Sequence, residues 1–416
     1  MMPEAPAPHL LARLPRPVAR LARTAAPNQA LVALTSLAVV VLASRSLPPA
    51  AFGLFASAQL AVLFCVGVAQ ATVLTPIVAD RTVDPTRPVA EARRLELLFG
   101  VAALVVGALG ALFLSGELRT VVVGTCIALP GCFYWDAVRM HYQGRSAYFG
   151  LLPGDLVTAV VTITWVAVAL ALGLGPLVAV LGLGAGPWAG CLVVLPPWSS
   201  RWTSWRRPWP RRVSANLAGD YIISTGLDQL LTLLTAVFLS AQALGGLRLA
   251  QSALGPISTL AIALSMTLLP QMRDLTLRPA GKVWWAARRF GAVAALALVI
   301  GLALTFVPVS VGQSLVGESW AIGAPVALAV AVYAGASALG RAATLTMLTS
   351  GASGLLVTVR AISAPVVAAV CVLVLTRHEL LLYAWTAAGL LVLSTTVLFV
   401  MAVRSGTRTP GGHRDD

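Results

Sequence analysis

"LPPAAFGLFASAQLAVLFCVGVAQATVLTP" (residues 47–76) decides what kind of molecule this chain forms. Prolines bound it, and no Asp, Glu, Lys or Arg occurs between Arg45 and Asp80. A transmembrane helix needs ~20 predominantly apolar residues, and segment 54–79 supplies them. The rest of the sequence has the same character. Of 416 residues, 58% are hydrophobic and 11% charged, with a mean hydropathy of +0.87. Soluble domains carry about 25% charged residues, too many more for this chain to be one of them. It reads as a multi-pass membrane protein.

A hydropathy window of about 19 residues places twelve spans. The first six are 28–47, 54–79, 95–114, 118–137, 150–172 and 177–197. The second six are 215–240, 247–270, 290–309, 321–346, 354–375 and 380–402. Connections after odd-numbered spans are tight, as in "GLGP" and "VGQSLVGES". If the amino terminus is cytoplasmic, the cytoplasmic segments and nearby helix ends hold 25 of the 29 Lys and Arg, leaving Arg45, Arg119, Arg248 and Arg377. Positive loops resist translocation, so both termini are expected in the cytoplasm of a cell-membrane protein. The net charge of +14 then reports topology and contact with anionic lipid, not nucleic acid.

Two stretches repeat. "FGLFASAQLAV" (52–62) resembles "LGGLRLAQSAL" (244–254), matching Gly53 with Gly245, Ala58 with Ala250 and Gln59 with Gln251. "TPIVADR" (75–81) lines up with "LPQMRDL" (269–275), setting Pro76 against Pro270 and Asp80 against Asp274. Six spans per repeat make the halves parallel, a plan shared with alternating-access transporters. The fold expected is all-α, about twelve transmembrane helices in two parallel six-helix repeats. Its parts are a basic tail (1–27), a first bundle (28–197), a linker (198–213), a second bundle (214–402) and a C-tail (403–416). In the linker, Trp198, Trp202, Trp205 and Trp209 recur at helical spacing among arginines, which suits the headgroup layer. The leader and "ALVALTSLAVVVLA" have signal-peptide features, but the leader is long and the run opens the recurring pattern.

No nucleotide-binding, hydrolytic or metal motif occurs. The five cysteines form no CxxC pair, the four histidines lie far apart, and no cofactor is expected. Ionisable residues inside spans are costly and are candidates for function. Asp228 lies near a midplane, while Asp155, Asp220 and Asp136 sit closer to cytoplasmic ends. Arg45 and Arg248 lie at outer ends, within snorkelling reach. Gln59 and Gln251, paired by the repeat, can bond sugar hydroxyls or join helices. Arg341 and Arg360 flank the turn "TSGASG" at one depth, where two cations repel unless lipid phosphates, a carboxylate or a bound anion offsets them.

The first repeat resembles the opening of polysaccharide flippases of the multidrug/oligosaccharidyl-lipid/polysaccharide exporter superfamily, with Leu47, Pro49, Phe52, Gly53 and Pro76 at the family's places. "GLDQLLTLLTAVFLSAQALGGLRLAQ" (226–251) resembles the family's seventh and eighth spans through Asp228, Gly245 and Ala250. Gln229 departs from the Arg or Lys that relatives often carry after that Asp. The resemblance implies a non-enzymatic flippase of an undecaprenyl-diphosphate oligosaccharide for cell-surface polysaccharide biosynthesis. Arg341, Arg360, Arg248, Arg45, Gln59 and Gln251 are then substrate-binding candidates. Asp228, Asp155 and Asp220 are coupling or gating candidates, with a proton or sodium ion as the coupling ion. A drug/cation antiporter of the same superfamily, a major-facilitator transporter and a membrane glycosyltransferase or polymerase are the alternatives.

Reporter fusions after residues 85, 205, 280 and 410 should read cytoplasmic, and those near 48, 117 and 378 external. A reproducible external signal at 205 would overturn both the topology and the linker assignment.

Overall fold

Hydrocarbon offers no water to satisfy backbone N–H and C=O groups, so each crossing segment must close its own hydrogen bonds. The computed structural model describes residues 26–74, 86–144, 147–194, 219, 221–350 and 352–404, and all regular structure among them is helical. The expected linker, 198–213, and most of both tails lie outside the described residues.

The first six helices are α1 (Ala26–Ser46), α2 (Pro49–Ala69), α3 (Thr86–Phe113), α4 (Gly116–Gly144), α5 (Tyr148–Ala171) and α6 (Gly175–Val193). Then follow α7 (Leu227–Phe238), α8 (Ala241–Ala253), α9 (Gly255–Asp274), α10 (Pro279–Thr305), α11 (Val309–Val316) and α12, which runs Trp320–Thr349 through a short 3-10 turn. The last two are α13 (Ser353–Leu375) and α14 (Leu380–Arg404). Ten of these helices are long and apolar enough to cross a membrane singly. The α8–α9 pair, bent by 50°, and the shorter apolar run Ile222–Phe238 occupy the two remaining expected segments. The bend falls where Pro256 opens α9, because proline lacks the N–H that would continue α8.

Several helices run past their expected boundaries: α3 begins at Thr86 rather than 95, and α4 ends at Gly144 rather than 137. α10 begins at Pro279 rather than 290 because the helix continues beyond its apolar window. "VGQSLVGES" contains a helix, α11, instead of a plain loop. It ends at Gly317, whose φ of +84° suits glycine and whose backbone lies against the end of α1 at Ser44 and Arg45.

By contacts the chain divides into two units, Met1–Leu249 with Ser310–Ala321, and Ala250–Val309 with Ile322–Asp416. In the first, α1 packs on α5, α2 on α4 and α6, α3 on α4, and α5 on α6. In the second, α12 is central, packed by α9, α10 and α14, with α13 against α14.

Lipid is as apolar as leucine, so contact area and close approach hold membrane helices together. α3 shows both faces of that rule. Val101, Val105, Leu109 and Leu112 recur at helical spacing and are exposed, Leu112 by 77%, as a lipid-facing stripe must be. On the other face, Gly100 meets Pro130 and Gly107 meets Cys126 of α4. α6 carries the densest stripe, in "LGLGAGPWAG" (181–190). Gly184 admits the α4 backbone at Ala128, while Gly186 and Gly190 admit Thr162, Thr158 and the carbonyl of Gly154 on α5.

α7 and the start of α8, which the repeat assigns to the second half, pack within the first unit for the same reason. Gly67 of α2 makes room for the Tyr221 phenol, Gly226 for Phe64, and Gly53 for the backbone of Ala241. Its repeat mate Gly245 lies against Phe52 and Pro49. The π-helical segment Ile222–Gly226 sits at this contact, and a second one, Gln70–Leu74, lies against α3 and α4.

A Cβ on Gly186 would stand 2.6 Å from the Thr158 carbonyl oxygen. Gly186→Ala should therefore cost about 1–3 kcal/mol through overpacking, read as a lowered thermal unfolding midpoint in detergent. Gly389→Ala, with no atom within 4 Å of the new carbon, should not lower it. Equal midpoints for the two variants would contradict the packing account.

Candidate functional site

Polar side chains within the bundle collect at three places, each inside one unit. The first is built on α2, α7 and α8. Gln59 is buried on α2, six residues along the helix from the close approach at Gly53 to α8. That approach brings Arg248 to it, and Arg248 Nη2 donates to Gln59 Oε1 over a long 3.5 Å. Asp228, at the start of α7, acts electrostatically on Arg248 and on Tyr221. Gln229 reaches the Tyr221 phenol, the role this chain gives the position where the resemblance expects a cation. The π-helical turn before Asp228 re-aims these side chains relative to a regular helix, a feature frequent at functional sites.

The second collection ties α1, α4 and α5 together. Asp155 is 2% exposed. Asn28 Nδ2 donates to its Oδ2 at 2.7 Å, and Arg139 Nε lies 3.3 Å from its Oδ1. Gly154 permits this, since it lets Trp135 of α4 lie flat against α5. A buried pair of this kind breaks at a cost of 3–5 kcal/mol when one partner is removed, so the clasp fixes the three helices. Asp136, on the same face of α4, has a buried Oδ2 with no hydrogen-bond partner and feels the Arg139 charge.

The third lies in the second unit, where α12 and α13 form a hairpin. Arg360 Nη2 donates to Thr344 Oγ1 at 3.1 Å. Thr344 stands one turn along α12 from Arg341, and the Arg360 charge bears on Arg341. The Arg139–Asp155 ion pair lies in the other unit. Two guanidinium groups side by side, steadied by a hydroxyl, can receive an anion with several oxygens.

Of the residues expected from sequence, Gln59, Arg248 and Asp228 come together, and so do Arg341 and Arg360. Asp155 belongs to the helix clasp. Arg45 is exposed at the end of α1, Gln251 is half-buried in the last turn of α8, and Asp220 lies outside the described residues. Sequence reasoning missed Glu96 of α3, which is wholly buried, and the role of Arg139. Arg139 looks like a loop cation by position; its spacing from Asp136, one turn along a helix, was the available signal. Among the described residues no three His, Cys, Asp or Glu side chains could hold a metal ion.

No protein-family profile matches the sequence, and no curated protein does. Solved structures do match. The lipid II flippase MurJ, in an inward closed conformation, aligns with a TM-score of 0.70 at 9% identity, covering 89% of this chain and 85% of that one. A mutant of the Vibrio cholerae MATE transporter VcmN aligns at 0.64 and 16% identity, covering 91% and 94%. A MOP superfamily transporter from Pyrococcus furiosus, its binding pocket described as of reverse polarity, aligns at 0.61 and 13% identity, covering 94% and 97%. The chain therefore has the fold of MOP superfamily transporters.

Proposed function

We propose that this protein is a MOP superfamily transporter that flips a lipid-linked oligosaccharide, carried on undecaprenyl diphosphate, between leaflets of the cell membrane by alternating access of its two six-helix halves. It moves its substrate without a chemical step, and its termini lie in the cytoplasm. The observation that carries the reading is the Arg341–Arg360 pair, one guanidinium bearing on the other beside Thr344. Like charges at that depth need an offsetting anion, and the planar guanidinium holds two phosphate oxygens at once. A diphosphate matches two such groups. The lipid II flippase among the structural neighbours supports a lipid-linked substrate.

Asp155 and Asp228 support the same choice over a drug/cation antiporter. Asp155 is held by Arg139 and Asn28, and Asp228 shares its surroundings with Arg248. Neither is left as a bare carboxylate for an organic cation. In this reading Gln59 and Arg248 contact the sugar or phosphate. Asp228 couples the cycle to a proton or sodium ion, and anionic lipids hold the basic face and linker.

Purified protein in liposomes, given fluorescently labelled undecaprenyl-diphosphate saccharide, should move it between leaflets, as read by a membrane-impermeant quencher. Arg341→Gln and Arg360→Gln should each slow this by about tenfold or more, the worth of one charge-assisted hydrogen bond. Lysine should restore it in part, because a point charge lacks the bidentate geometry. Wild-type rates in both Gln variants would make the pair a lipid anchor. Transport of an organic cation in place of the saccharide would favour the antiporter.

A further inference from the structure

Glu96 lies on α3, and no role described so far uses it. Its side chain is 0% exposed, and neither carboxyl oxygen has a hydrogen-bond partner. Asp136 faces it from α4, close enough for the two carboxyls to act on one another. The register of the α3–α4 hairpin explains the meeting. Phe99 packs edge-on against Phe133 at 6.4 Å, and three residues back along each strand of the hairpin's path stand Glu96 and, beyond Phe133, Asp136. Aromatic rings thus close one side of the carboxyl pair.

The elements packed on α3 here are α4 and the π-helical segment Gln70–Leu74. α4 presents Cys132, Asp136, Arg139 and His141, and the π-helical segment has no charged side chain. Arg94, two residues before Glu96, projects from a different side of the helix, and the Glu96 oxygens accept nothing from it. The one guanidinium of the group, Arg139, already lies 3.3 Å from Asp155. Asp136 and Asp155 therefore share one arginine, and the Glu96 oxygens accept no hydrogen bond from it. A buried ionised carboxylate that no protein donor reaches is costly in such a place; it must pair, become wet or take up a cation. A metal ion would need several converging oxygens, and among the described residues no such set exists.

We propose that Glu96 is a protonated carboxylic acid in this conformation and, with Asp136, forms a proton-binding site embedded in the first unit. The proton is taken up as Glu96 loses its water on burial between α3 and α4, and is released when Glu96 is rehydrated. Asp136 keeps it in place, since two neighbouring carboxyls do not both stay ionised. The site does not depend on the substrate reading: it can carry a proton whatever the chain transports.

Dicyclohexylcarbodiimide, an apolar reagent, tests this directly. The protonated carboxyl adds its O–H across a C=N bond, and the adduct rearranges to a stable N-acylurea with no atom lost. Peptide mapping of the treated, full-length wild-type protein in liposomes should place the adduct at Glu96, with labelling falling severalfold as pH is raised. Glu96→Gln should remove that adduct, and Asp136→Asn should weaken labelling of Glu96 severalfold at the same pH. Absence of an adduct at Glu96 in folded protein, or labelling that does not change with pH, would overturn the proposal. Labelling as described with no lipid flipping would leave this site standing and sink the substrate reading; flipping without labelling would do the reverse.

Discussion

A membrane interior has no water to satisfy a polar group, and everything in this structure answers to that constraint. The backbone answers by being helical throughout the described residues. Hydroxyls within the helices answer locally: Ser57, Thr72, Thr267 and Thr346 each donate to a carbonyl one turn back on their own helix. Charged groups have no local solution and must find partners on other helices. Close packing is what lets them. Gly53, Gly67 and Gly226 bring α7 and α8 against α2, and that approach puts Arg248 beside Gln59 and within the field of Asp228.

The same logic sorts the interior charges by what they can do. Asp155 has two partners and is structural, a clasp on α1, α4 and α5. Arg341 and Arg360 form the opposite case, two cations brought together by one helical hairpin. Asp228 lies between these extremes, next to a cation and after a π-helical turn whose carbonyls are less regularly bonded.

Much of the fold could be read from sequence because a span is a local property. Twenty apolar residues in a row announce themselves, and each of the twelve expected segments holds a helix or helix pair. What failed was also local in cause. α11 is eight residues long, below the length any window detects. Lys282 and Arg139 counted as loop cations because charge was taken to mark the end of a helix; both lie inside longer helices, and Lys282 is buried. Glu96 escaped notice at the edge of a span for the same reason. The meeting of Gln59 with Arg248 joins residues 189 apart in sequence, and depends on glycines whose importance shows only when the opposing backbone is in view. Arg341 and Arg360 were easier, since a short turn places equal lengths of helix on either side.

The central claim is that Arg248, Arg341 and Arg360 serve an anionic substrate and not helix packing or lipid anchoring. Single cysteines at these positions, in a background whose five native cysteines are replaced, can be tested with a charged, membrane-impermeant thiol reagent in sided vesicles. The account predicts that each of the three reacts from at least one face of the membrane and that a lipid-linked diphosphate saccharide slows the reaction. Cysteines that stay unreactive from both faces, or react at a rate the saccharide does not change, would contradict it.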